Sequence, residues 1–452
     1  MPDVQRNLSR SGHGGHRRSR SLVGAAVAAA LGLPAALTLP GIAVAQQTGQ
    51  GLEEILVTAT RRGDVALQDV PVSVTAVNSE ELSRLVNRDI SGVAAVVPNF
   101  SAAKIASFNA ASFAIRGVGQ TDIIVYLDAP VAVNVDDFVL PSVQTQLLDT
   151  FDIERVEVLR GPQGTLFGKN TTGGLVNVTT KRPEIGEGGV EARALYGSFN
   201  HYQIQGALNL PLGETFAMRF VGGYDKSDGF YENGATYGST VSIDTLGGKW
   251  NDLQGAGDGR DLGGTDVMNG RIKALWQPND DFSALFQYEI LRDESDAVPA
   301  FNDTPREPGC LSVFEVPPGT PGTCTFLWNS LGLFSPEGDP IDKVGTTNRT
   351  DAFMATGRGQ RIDVDGFYLN VDWDLGATAL AGVIGYREQE SRLPNSYPGS
   401  VPIAADGEQM SLFDASRDDD RETFQAEVRL SSNTDGAIDW VVGGFYQTND
   451  AV

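Results

Sequence analysis

The chain has 452 residues, 41% of them hydrophobic and 20% charged, with 53 glycines, a mean hydropathy of −0.16 and a formal net charge of −24. Beyond the first 45 residues no apolar run approaches the roughly 18 residues of a membrane helix, which excludes a helical membrane protein. So negative a chain repels nucleic acid and excludes that partner. A membrane β-barrel stays open, because its strands are apolar on one face only and give a weak hydropathy signal.

Residues 1–45 read as an export signal. Arg17, Arg18 and Arg20 form a basic start, Leu22 to Leu33 an Ala-rich apolar run, and Ala43-Val44-Ala45 a small-x-small cleavage site. The segment holds five arginines and one acid, Asp3, so its removal leaves the rest still more acidic. It also takes His13 and His16, leaving His201 as the sole histidine. A hydrolase triad or a His-based zinc site would then rest on one residue, which reads as a polar strand end. No catalytic residue, metal site or cofactor is expected. Cys310 and Cys324 would reach an oxidising compartment and pair there. Their short loop corresponds to roughly 3 kcal/mol on the loop-entropy model.

Residues 46–62 form a flexible tail: a Gly/Gln-rich stretch, then Glu-Glu-Ile-Leu-Val-Thr-Ala-Thr-Arg-Arg at 53–62. Residues 63–183 read as a small mixed α+β domain. Val70 to Val77 predicts a strand, and Ser79-Glu80-Glu81-Leu82 a helix start with Leu82, Leu85 and Val86 at helical spacing. Ala111–Arg116, Ile123–Leu127, Ile153–Leu159 and Leu175–Thr180 are further strands. The Gly-rich run Gly161 to Gly174 has the wrong spacing for a phosphate loop, and reads instead as tight turns passing close to a barrel wall.

From 184 to 452 the texture changes to about nine alternating strands: Val190–Tyr196, Tyr202–Leu210, Phe216–Tyr224, Asn269–Gln277, Phe282–Arg292, Asp365–Asp374, Thr378–Arg387, Thr423–Leu430 and Ile438–Gln447. In Thr423–Leu430, Phe424, Ala426, Val428 and Leu430 share one face, and Gln425, Glu427 and Arg429 the other. Tight turns at 211–214, 278–281, 375–377 and 433–436 alternate with long excursions at 225–268, 293–362 and 388–421. That alternation is the habit of outer-membrane barrels, with short periplasmic turns and long extracellular loops. The cysteine loop and Asp418-Asp419-Asp420 fall outside on this count. About nine strands cannot close a plugged barrel of about 22, so the sequence reads as the first half of a longer one.

These motifs resemble the TonB-dependent outer-membrane receptor family. Glu54-Ile55-Leu56-Val57-Thr58-Ala59 is similar to its TonB box. The plug signature follows in Asp69-Val70-Pro71-Val72-Ser73-Val74, Ile115-Arg116-Gly117, Tyr126-Leu127-Asp128, and above all Ile153-Glu154-Arg155-Val156-Glu157-Val158-Leu159-Arg160-Gly161-Pro162-Gln163-Gly164-Thr165-Leu166-Phe167-Gly168, completed by Asn170-Thr171-Thr172-Gly173-Gly174 and Asn177-Val178-Thr179-Thr180-Lys181-Arg182-Pro183. The resemblance implies a mixed α+β plug followed by an antiparallel transmembrane β-barrel. It also implies import of a scarce solute, a ferric siderophore first, with cobalamin, haem or carbohydrate as alternatives. The implied partners are outer-membrane lipid, the ligand and the TonB–ExbB–ExbD complex, whose pull on the box, added as a strand to its sheet edge, loosens the plug. A surface binding or adhesion β protein is the rival class. Plug–barrel ion pairs are expected among Arg116, Arg155, Glu157, Arg160 and Glu427, with a plug arginine on Glu427; pairing within the plug is the equal alternative. Phe113, Tyr126, Phe138 and Phe301 are aromatic candidates for ligand contact, though plain packing is the commoner role.

Overall fold

The computed structural model describes residues 56–58, 60, 61, 63, 65–105, 110–120, 128–233, 261–296, 333–334, 351–352, 360–396, 403–404, 414–433 and 438–451. The expected export signal, Glu54, Ile55, Ala59, Tyr126, Phe301, Cys310 and Cys324 lie outside the described residues, as does the strand expected at 123–127.

The N-terminal part is a small α+β body. Strands β1 (Leu56–Val57) and β2 (Val65–Ala66) pair antiparallel, Val57 opposite Val65. Strand β3 (Val74–Asn78) starts four residues later than the sequence suggests, because Leu67–Asp69 forms a 3₁₀ turn and Pro71 has no N–H for a ladder. Helix α1 (Ser79–Arg84) is set by a capping box: the Asn78 side chain accepts from the Glu81 N–H, and the Asn78 N–H donates to the Glu81 carboxylate. Leu82 is its buried residue; Leu85 already caps the helix and Val86 faces solvent, so the expected helical stripe ends early. A hairpin follows, β4 (Phe100–Ile105), β5 (Ala110–Ile115) and β6 (Val118–Gly119). Then come β7 (Val131–Val135), β8 (Phe138–Val139), β9 (Ile153–Arg160), the short helix α2 (Gly164–Phe167) and β10 (Gly174–Thr180).

The main sheet of this body runs β3-β9-β10-β7-β8, antiparallel between β9 and β10 and parallel between β10 and β7. Val156, Val158, Val176, Val178, Val131 and Val133 fill its core, which suits β-branched residues covered on both faces. Gly174 belongs to this core: it has φ 150°, and a Cβ there would sit 2.4 Å from the Leu159 carbonyl oxygen and 2.5 Å from Ile115 Cδ1. The close approach made by the Gly-rich run is thus to the plug's own strands, not to a barrel wall.

Nine long strands then form one antiparallel sheet in sequence order. They are β11 (Gly189–Tyr196), β12 (Tyr202–Pro211), β13 (Phe216–Lys226), β16 (Asp266–Asn279), β17 (Phe282–Asp293), β20 (Arg361–Asp374), β21 (Thr378–Ser396), β23 (Asp414–Ser432) and β24 (Val441–Ala451). The numbers between belong to short loop strands: β14 (Tyr231–Asn233), β15 (Asp261–Leu262), β18 (Leu333–Phe334), β19 (Asp351–Ala352) and β22 (Ile403–Ala404). The nine expected strands are all present. Several run further at the end away from the short turns, so Asp418-Asp419-Asp420 lies inside β23 and not in a loop.

Period two separates the faces. Gln203, Gln205, Arg219, Lys273, Gln287, Arg387 and Gln425 are buried on the inner face, while Ile204, Phe286, Phe367, Ile384 and Val428 are exposed on the outer one. Near the short turns Trp276, Phe282 and Trp373 pack edge to face at 5.6 and 5.9 Å, an aromatic girdle. Toward the long loops the outer face carries two cross-strand rows of carboxylates, Asp365-Glu388-Glu422-Asp450 and Asp363-Glu390-Asp420. Rows of like charge are tolerable only in water or headgroups, so they mark the outer edge of the lipid-facing band. Arg292, Arg361 and Arg392 offset part of that charge, Arg292 at 2.6 Å from Asp365 and Arg361 at 2.8 Å from Asp363.

Ile384, 52% exposed, lies midway between girdle and carboxylate rows. Ile384→Arg is expected to lower barrel stability by roughly 2–4 kcal/mol, measured by urea titration in lipid vesicles. Glu388→Arg, four residues along the same face, is expected to be neutral or stabilising in the same titration.

Candidate functional site

Leu56, Val57 and Thr58, the described part of the segment expected to be the box, are docked on the plug, not free. Val57 is fully buried with Leu159, Phe167 and Leu175. Thr58 sits over the Glu157 carboxylate: its N–H donates to Oε1 at 2.8 Å, and its hydroxyl lies 3.2 and 3.1 Å from the two oxygens. Glu157 has 0% exposure and also accepts from Arg155 Nε at 3.0 Å and from Asn177 Nδ2 at 3.3 Å. Asn177, opposite Glu157 in the β9–β10 ladder, donates as well to the Thr58 hydroxyl at 3.1 Å. A buried carboxylate needs such a set of donors, and Thr58 supplies two of them.

Three residues further on, Arg61 is buried beside the sheet wall. Its guanidinium stacks over the Phe167 ring at 4.3 Å, meets Asp137 at 2.5 Å and reaches Glu427 of β23 at 3.7 Å. Arg429 closes the group, 2.8 Å from Asp137 and 3.0 Å from Glu427. Two arginines and two carboxylates thus alternate across the boundary between plug and wall. Burial pushes the Asp137 carboxyl up, but Arg61 and Arg429 outweigh it and hold the group below the ordinary carboxylate range.

The rest of the plug surface is tied to the wall in the same manner. Lys273, 0% exposed, donates to the Lys181 carbonyl at 3.0 Å and the Thr180 hydroxyl, and lies 3.3 Å from Asp136. Arg219 grips Asp152 at 2.5 Å. Gln425 acts like a strand edge, donating to the Asp137 carbonyl at 2.8 Å and accepting from the Val139 N–H at 3.0 Å. Phe138 meets Tyr368 edge-on at 4.8 Å and fills a notch at Gly385, where a Cβ would lie 2.6 Å from the ring. Toward the long loops a cavity of about 550 Å³ separates plug from wall, with Arg88, Lys104, Asp149, Tyr224, Asp225 and Arg387 among its lining. Burial raises the Asp149 carboxyl there, against the Phe151 N–H, Gln205 and Arg193, which lower it.

Residues 66–175 match the model of the TonB-dependent receptor plug domain. The pesticin receptor of Yersinia pestis is 27% identical over 278 residues, 59% of this chain and 37% of that one. The vitamin B12 transporter BtuB of Photobacterium profundum is 24% identical over 177 residues, 39% of this chain and 28% of that one. Among solved structures, the ferric yersiniabactin uptake receptor FyuA of Yersinia pestis aligns with a TM-score of 0.59 at 18% identity, over 84% of this chain and 48% of that one. FpvA of P. aeruginosa bound to a pyoverdine aligns with a TM-score of 0.57 at 12% identity, over 88% of this chain and 44% of that one. Residues 66–175 are thus a TonB-dependent receptor plug domain, and the chain shares the fold of FyuA and FpvA. It spans 37% of the length of the pesticin receptor it matches.

The residues singled out from sequence have different fates. Glu157 and Arg155 pair within the plug. Arg116 is exposed in the turn after β5, with φ 53° and its guanidinium beside Gly161. Arg160 closes β9 half-buried, its Nε without a hydrogen-bond partner among the described residues. The arginine that reaches Glu427 from the N-terminal side is Arg61, in the 46–62 segment ahead of the plug and not one of the plug arginines expected. Phe113 stacks on Phe100 at 5.5 Å and Phe138 packs on Tyr368, so both are packing residues. His201 meets Asp225 at 2.9 Å at the start of β12. Asp136, Asp137, Asp152 and Lys273 went unrecognised from sequence; the available signal was a lysine and an arginine at inward positions of β16 and β13.

Lys273→Met removes the one cation paired with Asp136 among the described residues. It is expected to cost about 3–5 kcal/mol, read as a lower urea midpoint for protease sensitivity of the plug. Because Asp137 is depressed in the folded state, its contribution is complete above the ordinary carboxylate range and is lost as pH falls through the lower folded value. Plug stability titrated from pH 7 to 3 should therefore fall less steeply in Asp137→Asn than in the parent, from a lower starting point.

Proposed function

We propose that this receptor mediates TonB-dependent, energy-coupled uptake of a scarce solute across the outer membrane, a ferric siderophore before cobalamin. The observation that carries the reading is a plug docked on the polar inner face of a barrel-type sheet, with a box segment lodged at its N-terminal edge. Siderophore as the first ligand is supported by the names of similar proteins, among them FyuA, a ferric yersiniabactin uptake receptor, and FpvA, bound to pyoverdines. BtuB, a vitamin B12 transporter, supports cobalamin as the second. Export through residues 1–45 and a Cys310–Cys324 bridge belong to the same proposal, as does the partnership with TonB, ExbB and ExbD.

The proposed mechanism is mechanical. Among the described residues every side-chain contact across the boundary is non-covalent, so apart from the chain link at 181–188 the plug is seated by polar and packing contacts alone. A pull on the box is transmitted first to Glu157 through Thr58, then to Arg61 and the Asp137–Arg429–Glu427 group. Losing Arg61 removes one cation from two carboxylates, half-buried Asp137 and Glu427, and weakens the seat where plug meets wall.

The test is uptake of radiolabelled iron–siderophore complexes and of cobalamin in cells carrying the receptor, parent or Val57→Pro, with and without TonB. Uptake of an iron complex that disappears in Val57→Pro and without TonB, while surface binding persists, is the expected result. Uptake indifferent to both changes would falsify the reading.

A further inference from the structure

The Thr58 N–H is the backbone donor that a partner strand adding to the box would need, and it is already used. It donates not to a strand but to a side chain, Glu157 Oε1, at 2.8 Å. The preceding residue, Val57, pairs with Val65 of β2, its only strand partner among the described residues. The Glu157 carboxylate therefore stands where the edge of a partner sheet would begin.

We propose that Glu157 is an internal competitor for the box: it occupies the Thr58 N–H and hydroxyl, and a partner strand must displace it to bind. The inference rests on reading residues 54–59 as the segment that a periplasmic protein captures by strand addition. Three features fit a retaining device better than a simple core carboxylate. Glu157 is wholly buried, so water does not compete for it. Arg155 and Asn177 orient it and keep it an acceptor toward Thr58. Both Thr58 contacts, backbone and hydroxyl, go to the same carboxylate, so they are lost together. Once Thr58 leaves, Arg155 and Asn177 still satisfy Glu157, and the plug sheet has no reason to unravel with the box. That gives a release step confined to the edge of the plug, preceding any disturbance of Arg61.

Accessibility of the box reads this out without transport. The reporter is Val57→Cys, buried when docked, in full-length receptor carrying Cys310→Ser and Cys324→Ser, in outer-membrane fragments from cells lacking TonB. Labelling by a water-soluble maleimide is expected to rise about tenfold with Glu157→Gln and severalfold with Thr58→Val. Thr58→Val leaves the β3-β9-β10 ladder untouched and covers the case in which Glu157→Gln perturbs the plug. Rates within twofold of the parent in both variants overturn the proposal. A second arm adds the purified periplasmic domain of TonB, expected to bind Glu157→Gln about tenfold more tightly than the parent. Equal affinity for the two overturns the competition. Binding to neither, with labelling still raised, supports retention by Glu157 and overturns the reading of the segment as a TonB box.

Discussion

A sheet bathed in lipid can keep polar side chains on one face only, and those side chains need partners that water does not fully supply. The plug is that partner. Lys273, Arg219, Gln425 and Gln389 each reach from the inner face of the sheet to a carbonyl, hydroxyl or carboxylate on the plug segment between Asp136 and Lys181. Each contact removes the cost of a buried unpaired group on both sides at once. The wall explains the plug's acidic loop, and the loop explains the wall's cations; neither half makes sense alone.

The same constraint shapes how the plug can be released. Polar contacts hold firmly while dry and weaken steeply once solvated, whereas a greasy interface would bind as well in either state. A seat built from ion pairs and amide bonds can thus be undone by admitting water at one corner. The corner nearest the N-terminus is the group of Arg61, Asp137, Arg429 and Glu427, with only three residues between Val57 and Arg61. Under the proposed pull, a short displacement of the segment ahead of Arg61 reaches it.

The barrel half was legible because its grammar is local. A period of two, tight turns and long excursions fix strand, face and direction from neighbouring residues, and the strands from Gly189 to Ala451 follow that pattern. The plug was legible in part. Ile153–Arg160 and Gly174–Thr180 stand out as apolar runs, while Val131–Val135 and Phe100–Ile105 went unmarked, the latter because Ser, Ala and Lys carry little strand signal. The contacts between the two were hardest to see. Arginines inside the longest motif drew attention, yet Arg155 serves the plug itself. The arginine that reaches Glu427 from outside the wall is 366 positions away in Arg61-Arg62. Pairings over such distances follow from docking, and no window of sequence contains both partners. The length of β21 and β23 was missed for a related reason: their charged upper halves look like loop until the cross-strand rows are drawn.

The notch at Gly385 makes the wall and the stopper a matched set. A ring the size of Phe138 enters only because the opposing strand has given up a side chain. A stopper transplanted from a distant homologue would meet either an unfilled hollow there or, where the host carries a bulkier residue, a collision. Exchanging these parts between receptors should therefore succeed or fail on the pair 138 and 385 before any question of cargo arises.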